Sequence, residues 1–497
     1  MSIKIENLII GAGPAGLTAG YLILKEKNLG NVEIIETDKK YVGGISRTEK
    51  KDGFRFDIGG HRFFSKSKII NQLWDEILED GFIETNRKSR ILFKKKFFNY
   101  PLSTSEALFK LGIFESFLCV LSFLKSKIFP KKDPKSFHDW IANSFGERLF
   151  QNFFKTYTEK VWGMSCDEIS ADWASQRIKG LNMKTLILNS INFLNFKKKK
   201  NIIKTLIKKF KYPKYGPGMM WERAAEKIKY QNGKISMGIE AKEFIYDSLN
   251  ENWKVKCLNK TTNEEITYEC KRIICSAAMR DVVKNIFPPL KSKNIATDLK
   301  YRDFITVAIM LDQRPKFDDN WIYIHDQNIY AGRIQNYTSW STYMAPNNKG
   351  CLGLEYFCNE GETFWNKTNE ELKKLAIEDM NKLAILKNEK IIDSHVVRQK
   401  KAYPVYDKEY RKNVKIISDE IENNYKNLFL VGRNGMHKYN NQDHAMMTSI
   451  LTIENIKNKK KINNIWDINV DAEYHEEGKD KSLAMQNIQK VPIKFNN

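Results

Sequence analysis

The first 36 residues of this chain limit its fold more than any other stretch. The apolar run KIENLII reads as a strand and turns at once into Gly11-Ala12-Gly13-Pro14-Ala15-Gly16, ahead of the helical stretch LTAGYLILKEK. A second strand, NVEIIE, follows and ends on Glu36. Strand, glycine turn, helix and strand ending in an acid fit within the roughly 30 residues of a βαβ unit. Gly11 allows the tight turn, Gly13 lets backbone N–H groups approach a pyrophosphate, and Gly16 lets the helix pack close to the strand. Pro14 and Ala15 open the helix, whose N-terminus faces the phosphates, and Glu36 can hold a ribose hydroxyl. A glycine turn that only packs is the competing reading, but here every neighbouring element is in place. The pattern predicts a dinucleotide site.

Which dinucleotide is decided just downstream. Gly43-Gly44-Ile45-Ser46-Arg47-Thr48 comes a few residues after Glu36, and then Gly53-Phe54-Arg55-Phe56-Asp57-Ile58-Gly59-Gly60-His61. A nicotinamide-binding unit needs no second glycine pair at this point. A flavin dinucleotide lies extended across its domain, and Gly43-Gly44 with Arg47 beside it suits its second phosphate. FAD is the expected cofactor. No second G-x-G-x-x-G follows, so a nicotinamide reductant, NAD(P)H, would have to use the flavin face.

The chain has 497 residues and 42% hydrophobic composition, enough for two or three domains with sizeable cores. A formal net charge of +23 raises the question of nucleic acid. The lysines, however, are spread along the chain beside many asparagines and isoleucines, and no nucleic-acid-binding motif accompanies them. An acidic small substrate would benefit from the same field. The seven cysteines form no C-x-x-C pair, which indicates neither a disulfide framework nor a metal site. With the first strand beginning near Met1, the reading is of a cytoplasmic, reduced protein.

Two segments bear on membranes. LGIFESFLCVLSFL (111–124) is too short and too charged to span, and reads as a buried or half-buried helix, with a membrane-touching helix as the alternative. FKKKKNIIKTLIKKFK (196–211) reads as a helix with a solvated basic face, its alternative being a peripheral contact with anionic lipid at the inner face of a membrane.

The expected organisation is α/β: a Rossmann-like FAD-binding domain assembled from residues 1–95, 212–300 and 400–460. A helical substrate domain (96–211), an antiparallel sheet forming the substrate floor (301–399) and a polar tail (461–497) complete it.

Several segments together resemble one family, the flavin-dependent UDP-galactopyranose mutases, especially the longer eukaryotic type, within the amine oxidase and protoporphyrinogen oxidase superfamily. They are GGHRFF, FNYPL, FHDW, EKVWG, ADWASQR, YPKYGPG, NYTSW, AYPVYD and GRNGMHKYNNQDH. The resemblance implies that Trp162 stacks on uracil and that Arg177, fifteen residues later, grips the pyrophosphate. An indole face and a guanidinium fork suit those tasks, and Ser170 can cap the helix that carries Arg177. It further implies that Tyr337, Tyr403 and Tyr439 touch the diphosphate or sugar. Gly60 and His61 would lie near the flavin N5, and Gly432, Arg433, Asn441 and Gln442 would face the flavin.

The sequence departs from the family in the insertion around 105–135 and the lysine-rich segment, which have no counterpart there, and at two site positions. The second diphosphate arginine would fall at Tyr330, the nearest arginine being Arg333, and Thr158 stands where the mutases place an asparagine against uridine. The resemblance implies a non-redox reaction on a nucleotide-activated sugar, in which the N5 of reduced FAD attacks the anomeric carbon and the adduct recloses with the other ring size. His61, Arg177, Arg333, Tyr403 and Tyr439 would serve catalysis. An oxidoreductase of the amine oxidase or desaturase type, passing a hydride to oxidised FAD, is the second reading. A non-catalytic escort protein of the same fold is the third.

Overall fold

The computed structural model describes residues 2–100, 104–178 and 209–469. Among them two large sheets dominate. In the first, the strands Ile286–Phe287, Ile239–Asp247, Asn252–Asn259, Glu265–Cys275, Ser2–Ile10, Val32–Glu36 and Lys234–Met237 lie in that spatial order, and Leu428–Leu430 also pairs with Glu265–Cys275. Ser2–Ile10 runs parallel to both of its neighbours, with Ile10 opposite Cys275 on one side and Ile35 on the other. Side chains alternate along a strand, so Ile9 faces one layer while Leu8 and Ile10 face the other. Both faces are covered, which is why Leu8-Ile9-Ile10 is apolar throughout rather than alternating.

The helices Pro14–Lys25, Pro217–Tyr230 and Gln442–Lys457 pack on the Ile9 face. Small residues set the approach of the first helix: a Cβ on Gly16 would lie 1.9 Å from the carbonyl oxygen of Gly11.

The second sheet has the order Ile391–Pro404, Tyr301–Leu311, Gly350–Cys358, Arg333–Asn336, Trp321–Ile324, Ser89–Phe93, Lys96–Asn99. Its pairs are antiparallel except Trp321–Ile324 with Ser89–Phe93, which is parallel. The hairpin 89–99 therefore belongs to this sheet and not to a unit ending at residue 95. Non-local pairing fixes it there: Ser89 is in register with Trp321, and Arg90 donates to Asp319 at 2.8 and 2.5 Å.

A helical layer covers this second sheet. Phe137–Phe145 starts at Ser136, whose hydroxyl accepts from the Asp139 N–H, and buries Phe137, Ile141 and Phe145. These join Phe150 and Phe153 in one core with Phe98, Phe304 and Met310 of the sheet. The helix Ile113–Ile128 lies outermost, burying Cys119 and Phe123 and leaving its other side exposed, the half-buried arrangement expected of 111–124. Most of the lysine-rich stretch 196–211 lies outside the described residues. Its last residues, Lys209–Lys211, are not helical but open the strand Lys209–Pro213 on Phe82–Asn86. Of the tail, residues 470–497 lie outside the described set.

Candidate active site

At the N-terminal end of the helix Pro14–Lys25, two glycine turns face each other. A Cβ built on Gly13 meets nothing within 4 Å, and one on Gly44 meets only the Gly13 Cα, at 3.5 Å. Gly11, Gly43 and Gly44 have positive φ of 95°, 96° and 55°, a conformation that costs glycine little. Gly13 caps the helix without a side chain, so the first-turn N–H groups of Ala15 and Gly16 point into the opening. Glu36 closes the strand beside them and accepts from the Ala12 N–H at 2.7 Å and the Asp38 N–H at 2.9 Å; burial raises its pKa. Arg47 does not reach freely toward a phosphate. Its guanidinium pairs with Glu49 at 2.9 Å and donates to the Gly44 carbonyl at 3.2 Å and to Gln399 at 2.6 Å, so it braces the second glycine turn. On the opposite side, a Cβ at Gly432 would sit 3.0 Å from that of Ala15.

From this cradle the molecule opens into a cavity of about 360 Å³ between the two sheets and the helical layer. Gly60, His61, Thr158, Trp162, Arg333, Tyr403, Arg433, Tyr439, Asn441 and Gln442 all line it. Residues scattered over nearly 400 positions of sequence are thus brought to one wall. Trp162 meets Trp173 edge-on at 4.7 Å, and Trp173 meets Tyr439 at 4.9 Å. Tyr403 and Tyr439 stack at 5.5 Å, only 6° from parallel, and Arg433 lies over both rings. Arg433 is fixed by donating to the carbonyls of Asn440 (2.9 Å) and Ala402 (3.0 Å). Asn441 caps the helix Gln442–Lys457 in a reciprocal box with His444.

The charges of the cavity are arranged around His61. Burial, then the positive charges of Arg433 and Arg333, lower its pKa to about 3, so the imidazole is neutral. Its Nδ1 and the Oε1 of Gln442 are buried with no hydrogen-bond partner among the described residues. Arg333 donates to Glu355 Oε2 through Nε at 2.7 Å and approaches the same oxygen through a terminal nitrogen at 2.5 Å. Burial opposes its charge, but the Glu355 carboxylate outweighs it and the guanidinium is held well above its ordinary pKa. Burial pushes the Tyr403 hydroxyl up to about 12.

Tyr337 is a correction. It does not line the cavity but is buried in the core, its hydroxyl donating to the Asp57 carbonyl at 2.9 Å, against the backbone of Gly353. Tyr330, at the position of the family's second arginine, is exposed and packs near Phe364, while Arg333 occupies the cavity wall. Ser170 accepts from the Asp172 N–H at 3.2 Å, at the start of the helix Ala171–Ile178. The Arg177 side chain, on the last turn of that helix, lies outside the described set.

Sequence reasoning missed Tyr157, His325, Arg87, Tyr323 and Gln335. Thr158 stands four residues before Trp162 and Tyr157 four before Val161, so one turn back from the Val161-Trp162 pair leads to both. His325 stacks on it at 4.9 Å, and burial, then Lys160, lower its pKa to about 3. Lys160 clamps helix to sheet, its ammonium donating to the carbonyls of Ile324, Asp326, Ile329 and Ala331 at 2.8–3.4 Å.

The cradle and cavity fit FAD. The helix N-terminus and open space at Gly13 suit a pyrophosphate, Glu36 a ribose, and the orphaned polar atoms of His61 and Gln442 a heteroaromatic ring at the cavity end. Among the described residues no group of three or more metal-ligating side chains occurs, and no helix is long and apolar enough to cross a membrane.

Comparison with known proteins agrees with this architecture. The family model for the NAD(P)-binding Rossmann-like domain matches residues 9–77. Among solved structures, a reduced UDP-galactopyranose mutase superposes with a TM-score of 0.78 at 20% identity, over 92% of this chain and 94% of that one. An Exiguobacterium sp. 255-15 protein provisionally named protoporphyrinogen oxidase gives 0.72 at 14% identity, over 92% and 99%. Putrescine oxidase bound to putrescine gives 0.59 at 15% identity, over 92% and 100%. The chain has the Rossmann-like, amine-oxidase-type FAD-binding fold.

Proposed function

We propose that the protein is an FAD-dependent enzyme acting on a nucleoside-diphosphate sugar, with pyranose–furanose ring interconversion of the UDP-galactopyranose mutase kind as its reaction. The observation that carries this reading is the charge of the cavity. Among the described residues its lining holds the four arginines Arg62, Arg87, Arg333 and Arg433 and the carboxylate Asp443, with Glu355 behind Arg333 as its ion-pair partner. Such a wall attracts a diphosphate and repels the cationic amine that an amine oxidase takes.

Gly13, Gly44, Glu36 and the N-terminus of the helix Pro14–Lys25 would hold the pyrophosphate and ribose of FAD; His61 and Gln442 would meet its ring. Reduced flavin, when bound, supplies the electron-rich centre able to act on an anomeric carbon. This chain's residues do the remainder by position and charge. Arg433 and Arg333, each fixed by its own partners, stabilise the negative charge on a departing diphosphate without having to reorganise. Arg177 adds to them, as the family resemblance implies. Trp162 offers an edge of the aromatic wall for a base, and Tyr403, its proton secured by a pKa of about 12, remains a donor at neutral pH. His61 stays uncharged, which keeps a further positive charge away from the reacting carbon and leaves its unpartnered Nδ1 for the flavin ring.

The test is to reduce the purified protein with dithionite, offer UDP-galactose and related nucleotide sugars, and separate products by chromatography. Product formation without net consumption of reductant supports the reading. Stoichiometric NAD(P)H oxidation or peroxide release during turnover moves the protein to the oxidoreductase class.

A further inference from the structure

The helix Ile113–Ile128 is apolar on two sides. Cys119 and Phe123 face inward, against the helix Phe137–Phe145 and its neighbours. Ile113, Phe114, Phe117, Leu121, Leu124 and Ile128 face outward, with Ile113 93% and Phe114 77% exposed. At about 100° per residue these six fall within an arc of about 100°, and Lys125 and Lys127 stand at its two edges. Phe109, on the preceding helix Thr104–Leu111, and Phe129, just past the end, extend the patch.

Folded monomers seldom leave so continuous a stripe to water. The charge around it indicates what covers it. Beyond the C-terminal end, Lys131, Lys132 and Lys135 follow Lys125 and Lys127, with Asp133 as the single acid in 125–135. At the other end the hairpin tip Lys94-Lys95-Lys96 is exposed and bonds to the Thr104–Leu111 helix, Lys96 donating to the Lys110 carbonyl at 2.9 Å. Glu115, the one carboxylate in the helix, is turned away from the stripe and held by Arg148 at 2.7 and 2.8 Å and by Asn152 at 2.8 Å. An apolar stripe edged with lysines and free of outward carboxylates is the pattern of a helix lying in the plane of a membrane interface. Lysines at both ends would meet anionic headgroups, and the total charge of +23 adds to the attraction.

We propose that this helix docks the protein on an anionic lipid bilayer, with the stripe from Ile113 to Ile128 immersed at the headgroup–acyl boundary and the flanking lysines on the phosphates. Sixteen residues of helix are too short to span the hydrocarbon, so the contact is peripheral.

The experiment uses full-length, flavin-loaded protein and vesicle flotation, with phosphatidylcholine containing phosphatidylglycerol set against phosphatidylcholine alone. Wild type should float with the anionic vesicles and bind the neutral ones about tenfold or more weakly. The double variant Phe114→Asp/Phe117→Asp should lose binding by a similar factor, with unchanged circular dichroism and flavin absorbance, since both side chains are exposed. Lys125→Glu/Lys132→Glu should weaken binding and remove its salt dependence. Equal binding to both vesicle types overturns the proposal. So does a wild type that binds no better than the Phe→Asp variant. A dimer that dissociates on the same substitution identifies a second copy as the occupant instead.

Discussion

The Arg333–Glu355 pair makes a prediction in which folding and ligand binding can be separated. Glu355 is completely buried, and its Oε2 receives Arg333 at 2.7 and 2.5 Å. Once Arg333 is gone its remaining side-chain partner is Gln335, 3.2 Å from Oε1. Arg333→Ala therefore leaves the carboxylate without its charged partner, a loss of about 3–5 kcal/mol of stability. Removing the stranded charge as well, in Arg333→Met/Glu355→Gln, should return most of that loss, to within about 1–2 kcal/mol of wild type, because a neutral amide and an unbranched apolar chain fill the same space. Binding of UDP should behave otherwise. A charge-assisted contact contributes roughly 1.5–3 kcal/mol, so affinity should fall by about 10- to 150-fold in the single variant and stay low in the double one. Urea unfolding followed by tryptophan fluorescence reads the first quantity and titration calorimetry with UDP the second. A double variant as unstable as the single one would show that the cost comes from the lost guanidinium hydrogen bonds and packing and not from the stranded charge. A double variant that binds UDP like wild type would show that Arg333 does not meet the diphosphate.

Other outcomes follow from single positions. Gly13→Val should give a folded but colourless protein, since a Cβ there meets nothing in the protein yet fills the pyrophosphate cradle; visible absorbance and circular dichroism check the two halves. Burial raises the Asp57 carboxyl to about 7, against the opposing hydrogen bonds from Tyr212 and Thr48. The folded state then holds a proton that the unfolded chain releases near pH 3.8, so this term is fully stabilising below that pH and is lost as pH rises toward 7, at ~1.4 kcal/mol per unit. Asp57→Asn should flatten that slope in unfolding curves taken from pH 4 to 8, and an unchanged slope would refute the assignment. Tyr337→Phe should cost about 1 kcal/mol of stability, through its lost bond to the Asp57 carbonyl, and leave KM for substrate unaltered. Trp162→Ala should raise KM more than it lowers kcat, because a stacking contact is made equally before and during reaction.

How much of this was legible in the sequence depended on how local the signal is. The strand, turn and helix around Gly11–Gly16 and the strand ending on Glu36 are placed as the sequence predicts, because all of them lie within one βαβ unit. The hairpin 89–99 is recognisable as a hairpin, but nothing near it indicates Trp321–Ile324 as its parallel neighbour, more than two hundred residues later. Tyr337 and Tyr403 cannot be told apart by residue type: both occupy aromatic-rich strings, and only packing buries one with its hydroxyl on a backbone carbonyl and sets the other in the cavity wall. Arg47 shows the same limit. Its place beside Gly43-Gly44 suggested a phosphate contact, but Glu49, two residues on, has its charge. His325 ends an alternating strand segment, WIYIHD, and nothing in that pattern distinguishes a cavity histidine from a surface one.

The order of strands in the first sheet governs how the chain is made as well as how it stands. Ser2–Ile10 is synthesised before its parallel neighbour Glu265–Cys275, some 260 residues later, and Leu428–Leu430 follows after a further stretch of more than 150 residues. At roughly 5–20 residues per second, tens of seconds pass in which Leu8, Ile9 and Ile10 have no sheet on that side. For that time the dinucleotide turn sits on an open apolar edge, the kind of surface that pairs with another chain. The N-terminal unit is thus a dependent of the growing chain and not a domain that folds ahead of it. Fragments ending before residue 275 should need holding by chaperones or appear in the insoluble fraction, and flavin should associate only after synthesis is complete.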